Sequence, residues 1–313
     1  MTYVPMVRTW LGPVDIPGLA TTLSDHGAQL VGLNEEPEVI VWTEHAGVAD
    51  LREILARTAS VRLVQLPAAG IDDFIEGGAL ERRDVQYATC RGAFAVPVAE
   101  HALALALSAL RGIPERARAR KWGVQGGDLL RGKKALIVGA GGVGSEVARL
   151  LRAFGASPTL VGTRTRSVEV AGEPQQVRVV DELLSLLPAA NLVVLACPLT
   201  PQTRGLIGPD AFASIRPGSY LINVGRGAVV QTDALVAALQ DGTIRRAALD
   251  VTDPEPLPSD HVLWTLDNVL ITPHTADTLE MITPLFISRA AENVERDRLG
   301  QPLVGEVSLD DGY

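Results

Sequence analysis

Short apolar runs alternate with segments of helical spacing along most of the chain. Residues 3–10 are apolar but irregular and predict a first strand from Tyr3 to Trp10. Leu19 and Leu23 predict a helix over 16–26 that stops near Gly27. Residues 38–42 and 61–66 read as buried strands, and between them Leu51, Ile54 and Leu55 mark a helix over 48–58. This alternation predicts parallel βαβ units and one small α/β domain in the N-terminal third. Residues 98–110 follow Pro97, are helical by composition and apolar on all sides, which predicts burial. Residues 112–132 read as a connection.

A second series follows. Strands are predicted at 135–138, 159–162, 191–196, 219–223, 246–251 and 269–272. Helices are predicted after the first of these, at 181–187, at 209–215 and at 232–239, the last with Thr232 as N-cap. A final helix over 279–298 can return to the first domain. The pattern is that of an α/β protein built on doubly wound parallel sheets.

Composition narrows the class. A chain of 313 residues has room for about two domains. Aromatics at 4% predict aliphatic cores, as in parallel sheets covered by helices. A net charge of −9 argues against a nucleic-acid partner, and the basic run 111–121 reads as a solvated helix end and connector. Cys90 and Cys197 are too few for a disulfide framework or a zinc site, so no metal is expected and a reducing cytoplasm is. The apolar stretch 96–110 contains Glu100 and His101 and is too short to span a bilayer, and no secretory signal is evident. A soluble cytoplasmic protein without membrane contact is expected.

The first candidate chemistry lies at Gly139, Gly141 and Gly144, in G-x-G-x-x-G spacing between a strand and a helix. The first glycine permits the tight turn, the second lets backbone approach a phosphate, and the third allows close helix–strand packing. The amides there, with those of Gly142 and Val143, would face a dinucleotide pyrophosphate at the positive end of the helix.

Further motifs come in a fixed order: Val98-Ala-Glu-His-Ala102, the Gly139 turn, Cys197-Pro-Leu-Thr-Pro-Gln-Thr-Arg-Gly-Leu-Ile207, Asn223-Val-Gly-Arg-Gly227, Leu249-Asp-Val251 with Glu255-Pro256, and Thr272-Pro-His274. With these the chain resembles the D-isomer-specific 2-hydroxyacid dehydrogenase family, of the glyoxylate/hydroxypyruvate reductase type. The resemblance covers most of 96–276 and, more weakly, the N-terminal third. It implies two Rossmann-like domains, with a dinucleotide domain at 97–277 inserted into a flavodoxin-like substrate domain formed by 1–96 and 278–313. It also implies that cofactor and substrate meet in the cleft between them, that hinge closure excludes water, and that the protein is a homodimer.

The residues suit reduction of a 2-keto acid. Arg226 stands in a glycine-flanked turn after a strand, and its planar fork matches a carboxylate with an adjacent carbonyl. His274 follows the last strand and can donate a proton. Glu255 can hydrogen-bond the ring, orienting it and favouring the imidazolium. Singly these read equally as a surface turn residue, a solvated loop acid and a capped loop histidine. Together they follow successive strand ends of a doubly wound sheet, where ligands bind. By resemblance Arg226, Glu255 and His274 are the catalytic set. The amides of Ala69 and Gly70 join Arg226 and His274 on the substrate, and Trp42 and Thr43 are weaker candidates for shaping its pocket. Cys197, Pro198, Thr203, Val224, Asp250 and His274 surround the cofactor, with Asp250 on the nicotinamide carboxamide. His26, His45 and His261 read as surface residues, and Glu100 and His101 as structural.

One departure bears on the cofactor. The strand end that usually carries an acid for the ribose hydroxyls reads Gly162-Thr-Arg-Thr-Arg-Ser167 here. Arg164 and Arg166, with the hydroxyls of Thr163, Thr165 and Ser167, suit a 2′-phosphate, so NADP(H) is favoured and NAD(H) possible. A second is Asp277, where relatives often carry small residues, which bears on fine specificity. The alternatives are a nicotinamide-sensing, corepressor-like binding protein, a 3-phosphoglycerate dehydrogenase without an extra regulatory domain, and a phosphite dehydrogenase. Formate enzymes typically carry Gln where this chain has Glu255, which argues against that branch.

Overall fold

The computed structural model describes residues 5–308. Tyr3 and Val4, where the first strand was expected to start, lie outside them. The chain divides into two compact units, one formed by the residues up to Phe94 and from Thr278 onward, the other by Ala95–Asp277.

The first unit contains β1 (Val7–Gly12), α1 (Leu19–Asp25), β2 (Ala28–Leu30), β3 (Val39–Trp42), α2 (Val48–Arg57), β4 (Leu63–Gln65), α3 (Asp72–Glu76), β5 (Gln86–Ala88) and the C-terminal helix Leu279–Arg298. Its strands are parallel in the order β2-β1-β3-β4-β5. Side chains of β3 alternate between two cores. Val39 and Val41 pack with Leu19, Leu23 and Phe286 on one face, and Ile40 and Trp42 with Leu51, Leu55 and Phe74 on the other. Burial on both faces is why β3 reads as a continuous apolar run. The three-residue strands β2 and β5 and the short α3 carry too few residues for a period to show, and sequence reading missed them.

The second unit contains α4 (Ala95–Arg111), α5 (Ile113–Arg118), β6 (Lys134–Val138), α6 (Gly142–Ala153), β7 (Ser157–Gly162), β8 (Arg166–Val170), β9 (Glu173–Val179), α7 (Leu183–Leu186), β10 (Leu192–Leu195), α8 (Pro209–Ser214), β11 (Ser219–Asn223), α9 (Thr232–Gln240), β12 (Ile244–Leu249) and β13 (Val269–Ile271). The strand order is β13-β12-β11-β10-β6-β7-β9-β8. All pairs are parallel except β8, which runs antiparallel to β9. Ala135 and Ile137 of β6 face α4 and α6, while Leu136 and Val138 face the core built on α8 and α9. The order reverses between β10 and β6, and ligands of such sheets bind beyond the strand ends at that point.

Three local expectations are corrected. Helix α4 packs on one face through Val98, Ala102, Leu105, Ala106 and Ala109, but Val96 is half exposed and Ala104 exposed, so it is not buried all round. The connection after it contains α5. The cap of α9 is Gln231, and the Thr232 hydroxyl donates instead to the Asp253 carbonyl at 2.7 Å. The hairpin β8–β9 occupies a stretch for which no element was expected. Its turn is Ala171-Gly172, with φ of 57° and 78°, the left-handed pair that a tight two-residue hairpin needs.

Candidate active site

After β6 the chain turns at Gly139, whose φ of 118° suits glycine alone. A Cβ there would run into the backbone of Ala196 and Cys197, beyond the neighbouring β10. A Cβ at Gly144 would run into the Gly139 carbonyl, so α6 can lie against its own strand only with glycine there. At Gly141 a Cβ would meet nothing within 4 Å, leaving open space above the turn. The first intrahelical bond of α6 runs from the Ser145 amide to the Gly141 carbonyl at 2.9 Å. The amides of Gly142, Val143 and Gly144 lie ahead of it, at the positive end of the helix. An open cradle with aligned amides fits a pyrophosphate.

The loop after β10 closes one side of this turn. Cys197 is buried there, and desolvation pushes its thiol up to about 11. Val224, also buried, leads into Gly225, where a Cβ would press on the Cys197 carbonyl. Pro198 is exposed. The Thr203 hydroxyl donates to the Pro198 carbonyl at 2.7 Å and accepts the Thr200 amide at 2.8 Å. It staples its own turn.

Beyond β7, Thr163, Arg164 and Thr165 form an exposed bend and Arg166 opens β8. The Arg166 guanidinium donates to the Ala140 carbonyl at 2.8 Å, which brings a cation onto the glycine turn.

The candidate catalytic residues follow three adjacent parallel strands, β11, β12 and β13, spaced roughly 4.8 Å apart. Asn223 shapes the first turn, donating to the Arg226 carbonyl and accepting the Gly225 amide, both at 3.0 Å. Arg226 is half-buried, and its guanidinium donates to the Gly225 carbonyl at 2.9 Å. A Cβ at Gly227 would run into the Thr252 backbone, so this turn is pressed against the loop that carries Glu255. Glu255 stands between two cis prolyl bonds, and its Oε2 accepts the Thr252 amide at 3.3 Å. Its Oε1 lies 2.6 Å from His274 Nδ1. His274 has φ 47°, rare for a residue with a side chain, and its amide donates to the Asp250 carbonyl at 2.8 Å and the Thr272 carbonyl at 3.0 Å. With Nδ1 held by Glu255, Nε2 is the nitrogen left for chemistry. The two side chains are 45% and 39% exposed, so solvent can exchange protons with the ring.

Asp250 directly follows β12. Its side chain is 1% exposed. Its Oδ1 accepts the Thr272 hydroxyl at 2.6 Å and the Thr275 amide at 3.0 Å, its Oδ2 accepts the Ala276 amide at 3.1 Å, and His101 Nε2 lies 3.1 Å from Oδ1. Burial pushes this carboxyl up, but the donors from His101, Thr272 and Thr275 prevail and hold it below the usual carboxylate range. Through these contacts Asp250 holds the loop that presents His274. Its partnership with His101 and Thr272 was missed in the sequence. The available signal was a polar ring on a largely buried apolar helix, which has to find a partner.

In the first unit, Ala69 is exposed and Gly70 half-buried after β4, and the Ala68 carbonyl accepts the Cys90 amide at 2.9 Å. Trp42 is fully buried against Trp10, and the Thr43 hydroxyl donates to the Val14 carbonyl at 2.7 Å.

Comparison with known proteins gives the family. Residues 103–276 match the family model described as D-isomer specific 2-hydroxyacid dehydrogenase, NAD binding domain. The chain belongs to this family. A Corynebacterium melassecola protein described as an uncharacterized protein in the proB 3′ region is 36% identical, over 81% of this chain and 84% of its own length. The Homo sapiens glyoxylate reductase/hydroxypyruvate reductase is 32% identical, over 83% of this chain and 81% of its own. The crystal structure of a D-isomer specific 2-hydroxyacid dehydrogenase from Xanthobacter autotrophicus Py2, in complex with NADPH and MES, superposes with a TM-score of 0.82 at 28% identity and covers 98% of this chain and 100% of that one. As a D-2-hydroxyacid dehydrogenase, the chain is an NAD(P)-linked oxidoreductase with a two-sheet α/β fold. Among the described residues no helix is long and apolar enough to cross a membrane, and no group of three His, Cys, Asp or Glu side chains can hold a metal ion.

Proposed function

We propose that this dehydrogenase reduces small 2-keto acids such as glyoxylate or hydroxypyruvate, using NADPH in preference to NADH. The observation that carries the reading is the 2.6 Å pair of Glu255 and His274, two strands along the sheet from the Arg226 turn. A bound nicotinamide supplies a hydride to the keto carbon. Arg226 takes the substrate carboxylate and the adjacent carbonyl in its fork, drawing electron density toward the ketone oxygen. His274 Nε2 passes its proton to that oxygen as the alcohol forms. Glu255 fixes the ring and balances its positive charge before transfer. Solvent then returns a proton to the exposed ring.

The amides of Gly142, Val143 and Gly144 are the proposed pyrophosphate donors. Arg164 and Arg166, with Thr163 and Thr165, are the proposed 2′-phosphate site. The absence of an acid in this bend supports NADPH, as does likeness to the NADPH-bound Xanthobacter protein. In the first unit, the amides of Ala69 and Gly70 are proposed to donate to an anion. The proposed setting is the cytoplasm. The proposed assembly is a homodimer, supported by apolar side chains left exposed on the second unit, namely Val96, Ile113, Trp122 and Val124.

The test is a 2-keto acid panel run with each cofactor. We expect kcat/KM to favour NADPH, and a preference for NADH of about tenfold or more overturns the cofactor assignment. Tight cofactor binding without turnover on any keto acid favours the sensor alternative.

A further inference from the structure

Outside the Arg226, Glu255 and His274 set, the second unit holds a part-buried polar cluster that the reaction as written does not use. It consists of His101 on α4, Asp250 after β12 and Thr272 after β13. We infer that His101 is a positioning residue for the proton donor, acting through Asp250 on the loop that sets His274. This rests on the reading of His274 as that donor.

The hydrogen bonds fix the direction of the relay. The single hydroxyl proton of Thr272 goes to Asp250 Oδ1, at 2.6 Å. The Thr272 oxygen can therefore only accept from His101 Nε2, 3.0 Å away, and Nε2 also lies 3.1 Å from Asp250 Oδ1. So Nε2 carries a proton shared between two oxygens. Asp250 in turn takes three consecutive amides. Its backbone carbonyl accepts that of His274, its Oδ1 that of Thr275 and its Oδ2 that of Ala276. One residue thereby pins the backbone that holds His274 at positive φ and points its ring at Glu255. A long apolar helix places a histidine against that residue, where leucine would fit the helix pattern but leave a buried carboxylate short of a donor.

Removing the donor should let the His274 loop drift. Because reacting groups misplaced by roughly an ångström lose large factors in rate, the effect belongs in the chemical step. The Arg226 turn, held by the Asn223 side chain, should keep its hold on the keto acid.

The experiment compares wild type, His101→Leu, His101→Gln, Thr272→Val and His274→Gln. It reads single-turnover oxidation of the preferred reduced cofactor, keto-acid KM and thermal midpoint. We expect His101→Leu to slow the single turnover by about tenfold or more with KM within about twofold. We expect His101→Gln, whose amide N–H can occupy the place of Nε2, to recover to within about threefold of wild type. Thr272→Val removes the shared hydroxyl without changing side-chain shape, should slow turnover in the same way, and decides the matter if His101→Leu does not fold. A wild-type single-turnover rate in the folded variants overturns the inference, whatever their thermal midpoints. Equal slowing in His101→Leu and His101→Gln with KM rising in step also overturns it, because that is general damage. If wild type turns over and His274→Gln collapses while His101→Leu does not slow, this inference alone fails. If wild type reduces no keto acid, or His274→Gln keeps full rate, the reading beneath it fails first.

Discussion

Glu255 Oε1 lies 2.6 Å from His274 Nδ1, joining the loop after β12 to the loop after β13. A carboxylate on one ring nitrogen leaves the other to face the reaction and keeps a charge of opposite sign beside the imidazolium. Glu255→Gln keeps a hydrogen-bond acceptor of the same shape but removes that charge. We expect kcat to fall by about 10- to 100-fold with cofactor affinity held. Steady-state kinetics and a cofactor titration check it, and a kcat within about twofold of wild type removes Glu255 from the mechanism.

Arg226 is proposed to carry a different duty. Arg226→Lys keeps the positive charge but loses the paired planar contact, so keto-acid KM should rise by about tenfold or more while cofactor affinity stays unchanged. An unchanged KM in initial-rate assays would place the substrate carboxylate elsewhere.

Gly227 is where the Arg226 turn meets the Glu255 loop. A Cβ there would run into the Thr252 carbonyl, a backbone atom that cannot swing aside. Gly227→Ala should cost about 1–3 kcal/mol of stability and also raise KM, because both loops must shift. Chemical denaturation and kinetics on the same preparation test the pairing of effects.

Asp250 predicts a pH signature. Its folded-state pKa is depressed, because the donors on it outweigh its burial. Its stabilising contribution is therefore complete above the unfolded value of about 3.9 and is lost as pH falls through the folded value. Asp250→Asn should be less stable than wild type at neutral pH by about 1–3 kcal/mol, and the gap should narrow below about pH 4. Urea unfolding across that range checks it, and a gap independent of pH contradicts it.

The layers of this protein were legible in its sequence wherever burial left a period. The runs at Leu192–Leu195 and Ser219–Asn223 are fully buried strands, and the final helix begins and ends at the expected Leu279 and Arg298. The motifs also marked the strand ends after which Arg226, Glu255 and His274 appear. Two kinds of feature were hidden. Elements of three residues, such as Ala28–Leu30 and Gln86–Ala88, are too short to show alternation. Long-range polar partnerships have no local signature. His101 and Thr272 are 171 residues apart in sequence, and nothing near either one names the other. The same limit hid the loop-holding bonds of Asp250 to Thr272, Thr275 and Ala276.

The central claim is that His274 delivers the proton in keto-acid reduction, and His274→Gln tests it most directly. Gln can fill the ring's place but cannot act as an acid at neutral pH. The decisive measurement is kcat of this variant on a keto acid that wild type reduces, with cofactor affinity read by fluorescence titration. We expect kcat to fall by about 100-fold or more while cofactor affinity stays within about threefold of wild type. An unchanged kcat with intact cofactor binding would contradict the account.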